Sequence, residues 1–324
     1  MKSAVKILCG IAAASVLVAL SVMCGTRFYT PAELLDILSS DRSSPAFSVI
    51  VNLRVPRILM TLAVGASLSV SGTVFQAILK NPLADPYLIG VSSGAACGAA
   101  IAIVLSLDYV WIMVFSFIGS LAVIFVVFLL SKRLKLGSTP LILSGVALGF
   151  ILSSTVLLIF AVSRAEKVHQ AVMWLMGDFS IARYDMLPLM GVLSILLIGL
   201  VFCYRKHLDV ISIGELYAHN LGITPFSVRV LFWSAAFLAA LSVSLCGVVG
   251  FVGLIVPHVA RKAVGPLHAV LIPSAAIGGA FFLMAADTLG RSLAVPYEIP
   301  VGIVTGFAGG LFFLFFIAGG REYA

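Results

Sequence analysis

Charged side chains are rare in this sequence. Lys, Arg, Asp and Glu together make up 10% of the 324 residues, whereas hydrophobic residues make up 61%. Soluble domains carry about 25% charged residues, so a chain of this length cannot bury all its apolar surface, and lipid must cover part of it. The apolar runs also lack the alternation that a transmembrane barrel needs. Composition therefore excludes a soluble domain and predicts membrane-spanning helices, which satisfy their own backbone hydrogen bonds.

Several motifs of covalent and metal chemistry are missing as well. The chain has no G-x-x-x-x-G-K-[ST] phosphate loop, no H-E-x-x-H pair and no paired-cysteine motif, so we expect it to hydrolyse no ATP itself and to hold no metal or other cofactor. Five cysteines lie inside apolar runs without metal-ligand spacing, and we interpret them as small packing residues: Cys9, Cys24, Cys97, Cys203 and Cys246.

Ten apolar runs follow one another along the chain. They cover residues 7–25, 55–79, 87–106, 110–131, 139–162, 186–204, 229–249, 250–262, 269–290 and 299–318. The first run follows Lys2 and Lys6 without a clear cleavage site, so we interpret it as an uncleaved helix. The run at 250–262 is shorter than the roughly 20 residues of a full span. Its glycines and Pro257 predict a broken or half-length helix buried among its neighbours.

The distribution of basic residues predicts the orientation. With ten spans and Lys2 and Lys6 in the cytoplasm, the cytoplasmic segments hold twelve basic and four acidic residues, and the external segments hold eight basic and nine acidic residues. Lys and Arg are enriched in cytoplasmic loops, so this bias supports ten spans with both termini inside. The net charge of +7 then reflects membrane orientation, and we expect no nucleic-acid partner.

The cytoplasmic segment 205–228 contains a short amphipathic helix. Ile213, Leu216 and Tyr217 occupy positions i, i+3 and i+4, and Leu221 follows one turn later. Gly222 predicts the helix end. Such a helix either lies on the bilayer or fits into a groove of a cytoplasmic partner, and the pattern alone leaves both possibilities open.

Two arginines open the second span after the external loop 26–54. Arg54 and Arg57 are three residues apart and share one side of the first helical turn. Their spacing alone favours contact with lipid headgroups, and the docking of acidic groups from an external partner is the alternative.

Ionisable residues are scarce in the middle of the predicted spans. Asp287, Arg291 and Glu298 cluster near the outer ends of the last two spans. A proton- or sodium-coupled carrier usually has carboxylates or broken polar helices near the middle of the membrane. Their scarcity argues against a secondary transporter and indicates that a separate ATPase supplies the energy. A secondary transporter and a facilitator without an ATPase remain the alternatives.

Six motifs then occur in a fixed order. They are Arg54-Val-Pro-Arg57, the run from Gly72 to Gln76, Asn81-Pro-Leu-Ala-Asp-Pro86, Gly90-Val-Ser-Ser-Gly-Ala95, Gly250-Phe-Val-Gly-Leu-Ile-Val-Pro-His258 with Arg261, and Ala286-Asp287 with Arg291 and Glu298-Ile-Pro-Val-Gly302. In this order they resemble the FecCD-type permeases, the membrane subunits of type II ABC importers for iron–siderophores, haem and cobalamin. The resemblance covers nearly the whole chain.

The resemblance implies an all-α integral membrane protein with the BtuC-like fold, in which ten transmembrane helices form two halves related by a pseudo-two-fold axis. Residues 1–324 would form a single permease domain. The resemblance further implies a homodimer in a bacterial or archaeal cytoplasmic membrane, two copies of a cytoplasmic ATP-binding subunit and an external solute-binding protein. A metal chelate would pass along the axis that the two permeases share.

The resemblance also implies residue roles. The segment that couples to the ATPase would use Gly214, Glu215, Leu216, Ala218, Leu221 and Gly222. The external binding protein would dock on Arg54, Arg57 and Arg291. We further predict that the second, fifth and short eighth spans line the pathway. Six small residues of the second and fifth spans would face it, with ordinary helix packing as the alternative: Gly65, Ser69, Gly72, Ser144, Gly145 and Gly149. His258 is interpreted as a packing residue, and no feature selects among siderophore, haem, cobalamin and oxyanion as cargo.

Overall fold

The computed structural model describes residues 14–39, 44–134 and 138–318, and every regular element within them is helical. In chain order the helices are α1 Ala14–Met23, α2 Pro31–Ser39, α3 Pro45–Ser48, α4 Val55–Ile78, α5 Val91–Val104, α6 Tyr109–Leu134, α7 Ser138–Ala161, α8 Ala165–Leu175, α9 Leu187–Cys203, α10 Arg205–Ile213, α11 Glu215–Asn220, α12 Pro225–Cys246, α13 Val252–Val264, α14 His268–Ser292 and α15 Val301–Ala318. A π-helical turn, Val49–Arg54, joins α3 to α4, and a 3₁₀ turn, Pro86–Ile89, precedes α5. The predicted all-α class is confirmed.

Among the described residues, five helical stretches are long and apolar enough to cross a membrane: Pro45–Ile78, Tyr109–Leu130, Pro140–Ala161, Pro225–Cys246 and His268–Ser292. The helices α9 and α10 add a sixth if they are counted as one span bent by 58°. The apolar helices α1, α5 and α15 are shorter. The chain is therefore a multi-pass membrane protein, while the count of ten spans stays a prediction. The predicted first span begins at residue 7, and that residue and both termini lie outside the described residues.

The predicted half-length helix is confirmed as α13, which has 13 residues. An irregular segment separates it from α12, and two residues of this segment have positive φ angles, Gly247 with φ 75° and Phe251 with φ 69°. The first half of α13 is buried from Val252 to His258. Irregular backbone at membrane depth is tolerated where protein surrounds it, which fits this enclosed break.

The helix α4 lies at the centre of the bundle. The apolar part of the stretch Pro45–Ile78 is 78% buried within the chain, whereas that of α7 is only 11% buried. Glycines let the neighbours of α4 approach it closely. A Cβ atom on Gly65 would collide with the carbonyl oxygen of Gly279 in α14, and one on Gly72 would collide with that of Gly253 in α13. Small residues at such crossings allow close backbone packing between membrane helices.

The external loop carries the surface helix α2, which begins with a capping box. The Thr30 amide donates to Glu33 Oε2 at 2.7 Å, and the Glu33 amide donates to Thr30 Oγ1 at 3.3 Å. This reciprocal pair satisfies two amide groups that lack a helical partner. In the sequence, Thr30 followed by Pro31 and then by Glu33 is the pattern typical of such a helix start.

Candidate functional site

Arg57, in the first turn of α4, is buried and binds two carboxylates. Its Nη2 donates to Asp287 Oδ1 at 2.9 Å, its Nε lies 3.0 Å from the same oxygen, and its Nη1 donates to Glu298 Oε2 at 2.7 Å. The Asp287 side chain is 2% exposed and that of Glu298 is 36% exposed. Multidentate arginine–carboxylate contacts fix orientation as well as distance. These bonds join α4 to α14 and to the loop that precedes α15.

Arg291 follows Asp287 by one helical turn and extends the same network to α1. Its Nε lies 3.1 Å from Asp287 Oδ2. Its Nη2 donates to the carbonyl oxygen and the hydroxyl of Ser21, at 3.2 and 3.1 Å. Asp287 therefore lies between two guanidinium groups, and α14 is tied to both α4 and α1.

Arg54 also points inward, toward the end of α1. It donates to the carbonyl oxygens of Val22, Met23 and Arg27, and its guanidinium lies 4.9 Å from the centre of the Tyr29 ring. The last carbonyl groups of a helix lack intrahelical partners and carry partial negative charge. Arg54 therefore stabilises the C-terminal end of α1.

The structure brings all three predicted docking arginines together but buries them. Arg54, Arg57 and Arg291 are 5%, 8% and 3% exposed, and each has partners within the chain. All three side chains are therefore bound within the chain, and docking of an external binding protein on them stays a prediction. We refer to Arg54, Arg57, Asp287, Arg291 and Glu298 as the arginine cluster.

The predicted coupling helix consists of two pieces. It divides at Gly214 into the end of α10 and the short helix α11. The predicted stop at Gly222 is confirmed, because this residue has φ 75° and the next amide, of Ile223, donates to the Ala218 carbonyl at 2.9 Å. The side chains of Glu215 and Leu216, two of the predicted coupling residues, lie outside the described residues.

The predicted apolar stripe of this segment is uncovered. Ile213, Tyr217 and Leu221 are 66%, 59% and 64% exposed, whereas Ala218 is buried. These three side chains recur every four residues across the break at Gly214. A contiguous exposed apolar patch marks a surface that binds a partner or a membrane.

The helix α10 attaches this stripe to the transmembrane bundle. Its Leu208 and Ile211 are buried in the main core cluster. On the same helix, Asp209 Oδ1 accepts hydrogen bonds from the His268 amide at 2.8 Å and from His268 Nδ1 at 2.7 Å. The uncovered stripe is therefore linked to the first residue of α14, the helix that carries Asp287 and Arg291.

Most of the predicted pathway residues pack against other helices of the same chain. Gly65 and Gly72 form the crossings described above, and Ser69, between them on α4, is fully buried beside Gly279. Gly145 is buried where α7 crosses the 3₁₀ turn, and a Cβ there would lie 2.5 Å from the Leu88 carbonyl oxygen. For Gly65, Ser69, Gly72 and Gly145 the packing alternative thus accounts for the small residue, and none of the four lines an open path in this structure.

Ser144 and Gly149 are only half-buried on α7. Around them α7 exposes large apolar side chains, among them Leu143 and Phe150 at 66% and 72%. Gly149 has open space around it, since the one atom within 4 Å of an added Cβ would be Ser93 Oγ at 3.7 Å. This face of α7 is available to lipid, to a second chain or to a passing solute.

Comparison with known proteins adds to this geometry. The model of the FecCD transport family matches residues 13–319. The chain belongs to the FecCD transport family. It is 37% identical over 282 residues to the hemin transport system permease protein of Yersinia pestis, covering 84% of each chain. It is 40% identical over 276 residues to the cobalamin import system permease protein of Halobacterium salinarum, covering 83% of this chain and 73% of the relative.

The fold of this FecCD family member also matches a solved structure. That structure is described as a metal-chelate type ABC transporter in an inward-facing conformation. It is 32% identical to this chain, the match covers 97% of this chain and 99% of the other, and the TM-score is 0.83. The architecture outlined above is therefore shared over almost the full length of both chains.

His258 has packing partners in this FecCD chain. Its ring lies 5.0 Å from the ring of Phe316 and 5.6 Å from that of Phe312, both on α15, and both contacts are edge-on. Edge-on aromatic contacts of this kind stabilise packing. The position agrees with the interpretation of His258 as a packing residue.

A buried acid lies in the tight turn before α5. Asp85 is 8% exposed, and its Oδ1 accepts the Tyr87 amide at 2.8 Å, which caps the 3₁₀ turn. Burial raises the pKa of Asp85 to about 6, although the hydrogen bond from Tyr87 acts in the opposite direction. A carboxyl with this pKa changes its charge close to neutral pH.

Two side-chain pairs of this FecCD chain could not be predicted from its sequence patterns. One is the pairing of Arg57 with Asp287, 230 residues away, and the other is the pairing of Asp209 with His268, 59 residues away. Hydropathy and capping patterns report local structure, so neither pattern could identify partners at such separations. The clustering of Asp287, Arg291 and Glu298 near one membrane face is the one signal in the sequence that points to the first pair.

Proposed function

We propose that this chain is the transmembrane permease subunit of a binding-protein-dependent ABC importer that moves a metal chelate into the cytoplasm. The observation that carries the proposal is the match to a metal-chelate type ABC transporter over 97% of the chain, at 32% identity and a TM-score of 0.83. The relatives that transport hemin and cobalamin agree with a chelate cargo. A cytoplasmic partner would hydrolyse ATP, and the chain would form one permease domain with both termini in the cytoplasm of a bacterial or archaeal cell.

The uncovered stripe of α10 and α11 supports an ATPase partner. Burying Ile213, Tyr217 and Leu221 in a groove would remove apolar surface from water, the usual driving force for seating an amphipathic helix. In this proposal Gly214, Glu215, Leu216, Ala218, Leu221 and Gly222 form the segment that enters the ATPase. Two permeases and two ATPase subunits would make the complete transporter, with the exposed face of α7, including Ser144 and Gly149, toward the shared pathway.

Reconstitution tests this function. The chain would be co-expressed with candidate ATP-binding and solute-binding proteins from the same organism, and the purified complex would be placed in liposomes. We expect ATP-dependent uptake of a haem, cobalamin or ferric-chelate cargo.

Tyr217→Glu should abolish co-purification of the ATPase, because a charge would enter an apolar contact. Asn220→Ala, exposed on the same helix, should leave it unchanged. Uptake without ATP, or intact assembly of Tyr217→Glu, would contradict the proposal.

The external solute-binding protein would dock above the arginine cluster. Because Arg54, Arg57 and Arg291 are internally paired, acidic groups of that protein would have to replace a carboxylate that is already present. Glu298 is the exchangeable one, since it is 36% exposed while Asp287 is 2% exposed. Docking would then transfer Arg57 Nη1 from Glu298 to the partner. Charge complementarity of this kind sets specificity and association rate.

Reversing the charge of a buried arginine would damage fold and docking together, so Glu298→Gln gives the sharper test. It removes the competing charge and leaves Arg57 bound to Asp287. We expect the binding protein to bind about two- to five-fold more tightly, in line with a partly exposed ion pair. Asp185→Asn, in the exposed pair with Arg183, is the matched control. Unchanged affinity for Glu298→Gln would rule out docking through Arg57.

A further inference from the structure

The helix α14 begins without a cap from its own segment. The residue before it, Leu267, provides no side-chain hydrogen bond to the helix start. Asp209 on α10 supplies the cap instead, because its Oδ1 accepts the amide of His268, the first residue of α14. An acid near a helix N-terminus also interacts favourably with the helix dipole. The start of α14 is thus held by a side chain from a neighbouring helix.

The same carboxylate fixes the His268 ring. The contact from Nδ1 to Asp209 Oδ1 is 2.7 Å, and because a carboxylate only accepts, Nδ1 must carry the proton. The His268 side chain is 2% exposed and that of Asp209 is 27% exposed. One end of this link is therefore enclosed by the bundle, and the other end is a partly exposed side chain on α10, the helix that leads into the coupling segment.

Asp209 and the coupling segment belong to one short stretch of chain. Asp209 lies on α10, and Gly214 alone separates α10 from α11. The neighbours of Asp209 on α10, Leu208 and Ile211, pack into the core. Apolar burial has no directional preference, whereas the two hydrogen bonds of Asp209 have a defined geometry and fix a position along α14.

The first turn of α14 is less firmly joined to the rest of its helix. Pro273 lies inside α14, and a proline lacks the amide that would bond back to the first turn. The position of that turn therefore depends more on outside contacts, of which Asp209 is one. Beyond Pro273, α14 crosses α4 at Gly279 and ends in the arginine cluster at Asp287 and Arg291.

We propose that Asp209 and His268 form the positioning link that passes movement of the coupling segment to α14. This inference rests on the proposed function, since it assumes that an ATPase moves α11. A shift of α10 would pull the start of α14 through these two hydrogen bonds, and the crossing with α4 would carry the shift into the centre of the bundle. The link does not take part in ATP hydrolysis; it determines whether hydrolysis moves the permease.

The test measures ATP hydrolysis and cargo uptake in the same liposomes that contain the full complex. Asp209→Ala removes both hydrogen bonds, and His268→Ala removes the ring contact alone. We expect hydrolysis to continue while cargo moved per ATP falls at least about five-fold for Asp209→Ala, the lower end of typical coupling between sites. His268→Ala should show a smaller loss. Ser212→Ala, whose hydroxyl bonds only within α10 to the Asp209 carbonyl, should keep the wild-type ratio.

Asp209→Asn is the control that separates a loss of coupling from misfolding. Its side-chain amide oxygen can still accept the His268 amide, so the helix cap should be preserved. We expect this variant to unfold at the wild-type temperature and to show a loss of cargo per ATP between those of wild type and Asp209→Ala. A wild-type ratio in all the Asp209 and His268 variants would overturn the link while leaving the importer function intact. A parallel loss of hydrolysis, uptake and thermal stability would also overturn it, as a purely structural role. Uptake by wild type without an ATPase would overturn both the proposed function and the link.

Discussion

The two ends of α14 are held in opposite ways. At one end Asp287 and Arg291 are nearly fully buried among Arg57, Glu298 and Ser21. At the other end His268 has one acidic partner, Asp209, which is 27% exposed. Buried charges are costly to separate from their partners, whereas a partly exposed pair can exchange with water. The comparison indicates one end that anchors the helix and another at which it can be moved.

The largest effect that would test this contrast is expected at Asp287. Asp287→Ala would leave the guanidinium groups of Arg57 and Arg291 buried without their shared carboxylate. Breaking a buried ion pair by removing one partner costs about 3–5 kcal/mol. We therefore expect a marked drop in the thermal unfolding midpoint of the purified chain in detergent, and lower expression.

An exposed pair provides the control for that measurement. Asp185 binds Arg183, but their side chains are 57% and 70% exposed, and exposed pairs contribute about 0–1 kcal/mol. Asp185→Ala should therefore leave the midpoint nearly unchanged. If the two variants lost the same stability, the arginine cluster would not be the anchor inferred here.

A buried acid that has no ion pair among the described residues, Asp85, sharpens the comparison. Burial raises the pKa of Asp85 from 3.8 to about 6, so the folded chain binds this proton more tightly than the unfolded chain. The contribution of protonated Asp85 to the free energy of unfolding is then fully present below pH 3.8 and is lost as pH rises through about 6. This contribution is at most about 3 kcal/mol. Asp85→Asn should keep the cap on Tyr87 and remove this loss.

Unfolding midpoints between pH 5 and pH 8 test this prediction. Wild type should lose stability relative to Asp85→Asn as pH increases, and the difference should level off above pH 7. Parallel curves for the two proteins would mean that Asp85 does not titrate in this range. The proposed contrast between Asp287, which binds two arginines, and Asp85, which has no ion pair among the described residues, would then not hold.

The middle of α14 offers a smaller test. Gly279→Ala would place a methyl group against the Gly65 carbonyl oxygen, where the helices touch. Overpacking typically costs about 1–3 kcal/mol, so we expect a moderate fall in the midpoint. Gly191→Ala is the matched control in α9, since nothing lies within 4 Å of an added Cβ there. In that open site alanine should be neutral or stabilising, because it restricts the unfolded chain.

The smallest stability effect is expected for Glu298→Gln. The variant weakens the exposed arm of the arginine cluster, while Asp287 still binds Arg57 through two nitrogens. A partly exposed pair contributes about 0–1 kcal/mol, so the midpoint should change little. A loss as large as that of Asp287→Ala would show that the two carboxylates are equivalent, and Glu298 could then not be the exchangeable one.

Local features of this fold follow from the sequence, and distant contacts do not. Hydropathy identifies the long helices, Thr30 and Glu33 predict the start of α2, and Gly222 predicts the end of α11. Each of these signals acts within one or two turns. The burial of Arg57 depends instead on Asp287 at a separation of 230 residues. Small residues are ambiguous for a related reason, since Gly65 and Gly72 suit a helix crossing as well as a pathway.

The arginine cluster also has a consequence for biosynthesis. Ribosomes add about 5–20 residues per second, so the 230 residues between Arg57 and Asp287 correspond to about 10–50 seconds of translation. During that interval α4 enters the membrane with a cation whose carboxylates have not yet been made. The nascent chain must therefore keep this guanidinium in contact with water, lipid phosphate or the insertion machinery until α14 arrives. The ion pair between Arg57 and Asp287 can therefore form only after the chain has been synthesised as far as residue 287.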